Sequence, residues 1–172
     1  MAYLNVESAA YPWPKLNGVN IGPLRLQWGG SEKRGIRENQ WTYSITAIDI
    51  VQTPATRFAA IRPSPDLAAD SPVLEGFVTF QRVCFSCHTL NGAGDSQFGP
   101  DLNFPYSLVE YLGDERLLAY LREPQSLHLW PSAKMHPLER STVSDSELND
   151  LMLYFHHMSR RKTDFSREAA GK

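Results

Sequence analysis

Cys84-Phe85-Ser86-Cys87-His88 holds both cysteines of the 172-residue chain within five positions. A disulfide across so short a loop would constrain little of the unfolded chain, so the pair needs another explanation. A redox C-x-x-C of the thioredoxin kind follows a strand and opens a helix, whereas the residues before Cys84 carry a helical pattern. A zinc site would need two more ligands from His88, His128, His136, His156 or His157, and no second closely spaced pair stands ready to supply them. The remaining reading is C-x-x-C-H, the pattern of covalent haem attachment. Two thiols add to the two vinyl groups on one porphyrin edge, and the following imidazole reaches the iron as proximal ligand.

Upstream, Ser71 is placed as an N-cap and Pro72 as the first helical residue, where its missing N–H costs nothing. A helix is predicted from there to the cysteines, with Phe77, Phe80 and Cys84 on one face. Downstream, Gly and Pro dominate residues 91–105. Short helices are expected over residues 107–112, stopped by Gly113, and 115–122, capped by Asp114 and stopped before Pro124. A long loop carrying Trp130, Met135, His136 and Pro137 leads to a last helix. That helix opens with the capping box Ser144-x-x-Glu147 and has Leu148, Leu151, Met152, Phe155 and Met158 as its apolar face. Met152 and Met158 are read as core, and His156 and His157 as solvated or capping side chains.

From about Ser71 to Arg161 the chain resembles a class I monohaem cytochrome c. Gly76 and Phe80 stand eight and four residues before Cys84, and Gly99-Pro100-Asp101-Leu102 follows the attachment motif. The resemblance implies that the first and last helices cross at Gly76, against Tyr154 or Phe155. It implies that the Pro100 carbonyl accepts the Nδ1–H of His88, fixing the tautomer and ring orientation. It further implies a methionine as distal ligand, and Met135 is the choice, although one residue separates it from Pro137. His136 is the nearest rival, followed by His128 or an open site. Trp130 and Tyr106 are candidates to bond the haem propionates and equally candidates for core. The cofactor-binding set is therefore Cys84, Cys87, His88, Pro100 and Met135, with His88 and Met135 on iron and one covalent haem c.

Residues 1–66 fall outside that likeness. Leu24 to Trp28 alternates, and so does 41–50 after a polar loop, which predicts a hairpin. The pattern Gly22-Pro23-Leu24-Arg25-Leu26, then Trp41-x-Tyr43-x-Ile45-x-x-Ile48-x-Ile50, weakly resembles the terminal β region of sulfite-oxidase-type molybdopterin oxidoreductases. No cysteine is left here to bind molybdenum, so any such chemistry would lie in a partner.

The expected fold is mainly α: a class I cytochrome c helical fold around one haem, with an N-terminal β-rich extension. The divisions are 1–66 for the extension, 67–162 for the haem domain and 163–172 for a flexible tail. A net charge of −2 points to neither nucleic acid nor a membrane surface, and no apolar run is long enough to span a bilayer. With five lysines, a lysine-ringed docking face is not expected. The start, MAYLNVESAAYPWP, lacks the basic and apolar regions of a signal peptide. A periplasmic location is expected of a chain whose leader has been removed or lies outside this stretch. The expected function is electron transfer rather than catalysis, as carrier or relay for redox partner proteins, among them a molybdopterin oxidoreductase domain or subunit. A haem enzyme or gas sensor with an open or exchangeable distal site is the alternative.

Overall fold

The computed structural model describes residues 2–10, 12–16, 18–30, 42–96, 98–127, 131 and 135–163. It divides into two units, residues 1–51 and 52–172.

The first unit is built on an antiparallel pair, β1 (Ala2–Val6) and β2 (Leu24–Trp28), in the register Ala2 opposite Trp28 and Val6 opposite Leu24. The expected hairpin between Leu24–Trp28 and residues 41–50 is thus corrected. Beyond Trp41, which lies outside the described residues, only a single bridge forms, with Leu26 N–H donating to the Thr42 carbonyl at 2.9 Å. Ile45 N–H donates to Leu24 O at 3.0 Å, and the chain then leaves β2. Ser44, with φ 53°, breaks the extended run that alternation alone would predict. Asn5 and Gln27 bond across the pair at 2.8 Å, and the Arg25 guanidinium lies 4.6 Å from the centre of the Trp13 ring.

The second unit contains α1 (Pro54–Arg57), a 3₁₀ turn at Ala59–Ile61, α2 (Pro72–Val83), α3 (Leu108–Leu112), α4 (Asp114–Arg122) and α5 (Asp145–Ser159). By its packing it takes in the residues from Gln52 onward. Residues 52–66 belong here because Ile61 is fully buried in the main hydrophobic cluster and Phe58 packs against it. Arg57 forks onto Asp95 at 2.6 and 2.9 Å, and Ser64 N–H donates to His157 Nε2 at 3.0 Å.

The helix ends follow local chemistry. At α5, Ser144 and Glu147 form the expected reciprocal capping box, and the bonds from Ser144 hold the Glu147 carboxyl below its usual range. Ser107 and Glu110 form a second one at α3. Glu110 also receives Lys162, and these partners, Lys162 first, lower its pKa to about 2. Ser71 occupies the N-cap of α2, but its hydroxyl makes no capping bond. Asp114 is not the cap of α4. Gly113, at φ 72°, takes that position, and Asp114 in the first turn meets His156 Nε2 at 2.8 Å.

The centre of this unit is the crossing of α2 and α5. Gly76 lies against the Asp150 backbone, so a Cβ there would stand 2.6 Å from the Asp150 carbonyl carbon and 2.8 Å from Tyr154 Cβ. The missing side chain is what lets the two backbones meet. Around this point Phe77, Phe80, Tyr154 and Phe155 stack with centroid separations of 5.2 to 6.5 Å. Leu148, Leu151, Met152, Phe155 and Met158 are buried, which makes the two methionines core as expected. No helix among the described residues is long and apolar enough to cross a membrane.

Candidate haem site

α2 ends on Cys84, and the backbone continues in helix-like turns. Cys87 N–H and His88 N–H both donate to the Cys84 carbonyl at 3.0 Å. Positions i, i+3 and i+4 of such a turn share one side, so Cys84, Cys87 and His88 emerge together. The two thiols have different surroundings. Cys84 is buried and Cys87 is exposed. Burial, with Cys87 adding to it, pushes the Cys84 thiol up to about 12, so in this setting it holds its proton. Phe85, between them, anchors the turn against Phe80 and Phe58 at 5.6 and 5.5 Å.

His88 Nδ1 lies 2.9 Å from the Pro100 carbonyl oxygen. A carbonyl only accepts, so Nδ1 carries the proton and Nε2 keeps its lone pair for a metal. Gly99 packs on the same ring: a Cβ there would overlap the His88 ring, standing 2.5 Å from Nδ1 and 3.0 Å from Nε2. The segment is tied back by Gly99 N–H to Cys87 O at 2.8 Å and Leu102 N–H to Thr89 O at 3.0 Å. The ring is thus gripped on a face by glycine and at an edge by proline. Phe98, next to this grip, is 87% exposed, an apolar surface of the kind a porphyrin covers.

On the other side of the sequence motif, Met135 is half-buried and packs against the hydrophobic cluster, while His136 is exposed. Leu138 follows into the core, with its N–H bonded to Leu121 O at 2.9 Å. Tyr106 is 68% exposed. His128 and Trp130 lie outside the described residues. The two histidines of α5 each have a partner of their own. His156 meets Asp114, and His157 accepts from Ser64 N–H.

Residue-type reasoning passed over Asp101. Its carboxylate accepts from Thr89 Oγ1 (2.9 Å), Asn91 N (3.1 Å), Gly92 N (2.7 Å), Asn103 N (2.9 Å) and Phe104 N (2.8 Å). Beside it, Asn91 and Asn103 form a buried pair at 2.8 Å. Their amides reach the carbonyls of Ala60, Arg161 and Met158.

The residues around the motif fit a covalently held haem: paired thiols, an imidazole whose Nδ1 faces a carbonyl, and an exposed aromatic nearby in the chain. The comparisons agree. The model of the family described as Cytochrome c matches residues 73–159, a span that runs from the first turn of α2 to the end of α5. No curated protein and no solved structure matches the chain. With half its length in that match, from the Gly76 crossing through the attachment motif to the last helix, the chain belongs to the cytochrome c family, whose members transfer electrons through covalently bound haem.

Proposed function

We propose that the chain holds one haem c through thioethers at Cys84 and Cys87, with His88 and Met135 as axial ligands, and serves in the periplasm as an electron carrier or relay rather than an enzyme. The observation that carries this reading is the contrast at the distal loop: Met135 packs on the core, whereas His136 next to it is exposed. The haem iron supplies one-electron exchange between its ferrous and ferric states. The protein's share would be to hold the iron with two side chains, His88 and Met135, that are fixed by packing, so that little need move on electron transfer. His88 is held by Gly99 and Pro100, and Met135 by the cluster it touches. A thioether favours the ferrous state and raises the potential, and two protein ligands leave no position for dioxygen or substrate. The partners are proposed to be redox proteins. The pattern in residues 20–50 makes a molybdopterin oxidoreductase domain the specific candidate, and that proposal rests on the sequence pattern alone.

The test is spectroscopic. The oxidised protein should show the weak long-wavelength charge-transfer band of sulfur-ligated ferric haem. Met135→Ala should abolish the band, lower the potential and admit carbon monoxide to the ferrous iron, and His136→Ala should do none of these. A parent that binds carbon monoxide readily, or loss of the sixth ligand in the His136 variant instead, returns the reading to an enzyme or sensor.

A further inference from the structure

We propose that Asp101 is the positioning residue of the proximal ligand: it holds His88 in register with Pro100 and places a fixed negative charge beside that ligand, depressing the reduction potential. The inference rests on the reading of His88 as an iron ligand.

The geometry is a two-sided lacing. One oxygen of the carboxylate takes Asn91 N–H at 3.1 Å, Asn103 N–H at 2.9 Å and Phe104 N–H at 2.8 Å. The other takes the Thr89 hydroxyl at 2.9 Å and Gly92 N–H at 2.7 Å. Thr89, Asn91 and Gly92 immediately follow His88 in the chain, while Asn103 and Phe104 follow Pro100. One side chain thereby joins the segment that carries the imidazole to the segment that carries its acceptor. The backbone offers two ties of its own between these segments, Gly99 to Cys87 and Leu102 to Thr89. Those two ties hold Gly99 and Leu102, the flanks of Pro100. The carboxylate fixes the turn beyond, where the chain must bend back after His88.

Five donors aimed at one carboxylate also hold its two oxygens in one place, and charge-assisted bonds of this kind are stronger than neutral ones. Asp101 is partly buried, so its field is less screened than that of a surface acid. Oxidation adds a positive charge at the iron, and a nearby carboxylate stabilises that state, which lowers the potential. A role confined to loop stability would lower the unfolding temperature of any variant and leave the potential alone.

The experiment uses the haem-loaded protein and its Asp101→Asn, Asp101→Ala and Asp101→Glu variants. Two quantities are read: the reduction potential, and hydrogen exchange of the His88 Nδ1–H by NMR in the diamagnetic ferrous state. Asp101→Asn and Asp101→Ala should raise the ferrous-to-ferric ratio at the parent's midpoint by about threefold, roughly 30 mV at 59 mV per tenfold, and speed the exchange severalfold. Asp101→Glu, which restores the charge, should return the potential towards the parent. If Asp101→Asn and Asp101→Ala fail to take up haem, Thr89→Val decides. It cuts the tie nearest His88 and keeps the charge, and exchange must then quicken. A low-spin parent whose Asp101 variants keep potential and exchange unchanged overturns the proposal. A parent without His88 on iron overturns instead the ligand reading beneath it.

Discussion

The Tyr154 hydroxyl, in the middle of α5, donates a 2.7 Å hydrogen bond to the Ile61 carbonyl, and both residues are fully buried. The last helix of the haem domain thus satisfies a backbone group of the segment that precedes the first. Burial pushes the phenol's pKa up, so it stays a donor throughout the ordinary pH range. Tyr154→Phe should keep the ring packing and strand the Ile61 carbonyl. The expected loss is about 1–3 kcal/mol, the cost of an unpaired buried acceptor, read by denaturant unfolding of the haem protein.

That bond also sets where the chain can be cut. Removing residues 1–51 should leave the visible spectrum and unfolding midpoint of the remainder close to those of the parent. Removing residues 1–66 takes away Ile61, Phe58 and the Arg57–Asp95 pair. Loss of Ile61 alone should cost about 2–5 kcal/mol. Equal stability of the two truncations would show that residues 52–66 are dispensable.

At Gly76 any side chain meets backbone rather than a movable neighbour, since the nearest atoms are the Asp150 carbonyl and Tyr154 Cβ. Gly76→Ala should already destabilise, and Gly76→Val should do so by more than the about 1–3 kcal/mol usual for overpacking. Thermal unfolding that matches the parent for Gly76→Val would place the crossing elsewhere.

His157 provides a pH dependence of definite sign. Its Nε2 accepts from Ser64 N–H at 3.0 Å, which requires the neutral ring. Burial lowers its pKa, with Arg161 and then Arg160 adding to the effect. The unfolded chain, with an ordinary histidine near about 6.5, therefore binds a proton at a higher pH than the folded one does. The stabilisation from this contact is complete above that ordinary value and is lost as pH falls through the lower, folded pKa. His157→Gln, whose amide oxygen can accept without titrating, should flatten the decline in unfolding midpoint between pH 7 and pH 5 relative to the parent. An unchanged slope would assign the decline to other groups.

What could be seen in the sequence was whatever short-range chemistry declares. Ser144 and Glu147 are three residues apart and bond to each other wherever a helix starts. Ser107 and Glu110 repeat the pattern, and the same rule would have found them. Gly76 and Phe80 lie on the helix that ends at Cys84, and the resemblance those spacings carry implied the crossing that forms at Gly76. Pairing across distance was not visible. Alternation offered residues 41–50 as the partner of Leu24–Trp28 and gave no sign of Ala2–Val6, because which strands pair depends on tertiary neighbours that strand propensity does not encode. Ile61 reads as an ordinary residue in a proline-flanked stretch, and only the cavity it fills assigns it to the second unit. Asp101 is the extreme case: an acidic residue in a loop carries no pattern until five donors from two segments converge on it.

The crossing at Gly76 has a consequence in time. Its two helices are the first and last long ones of the unit, Pro72–Val83 and Asp145–Ser159, and the attachment motif lies between them directly after the first. A chain delivered from its N-terminus presents Cys84 well before α5 exists to bury it. The Cys84 thiol, buried and protonated once α5 has docked, is open to water and far more acidic until then. The order in which the polypeptide emerges therefore sets an interval in which this thiol can react, and arrival of Tyr154 closes it.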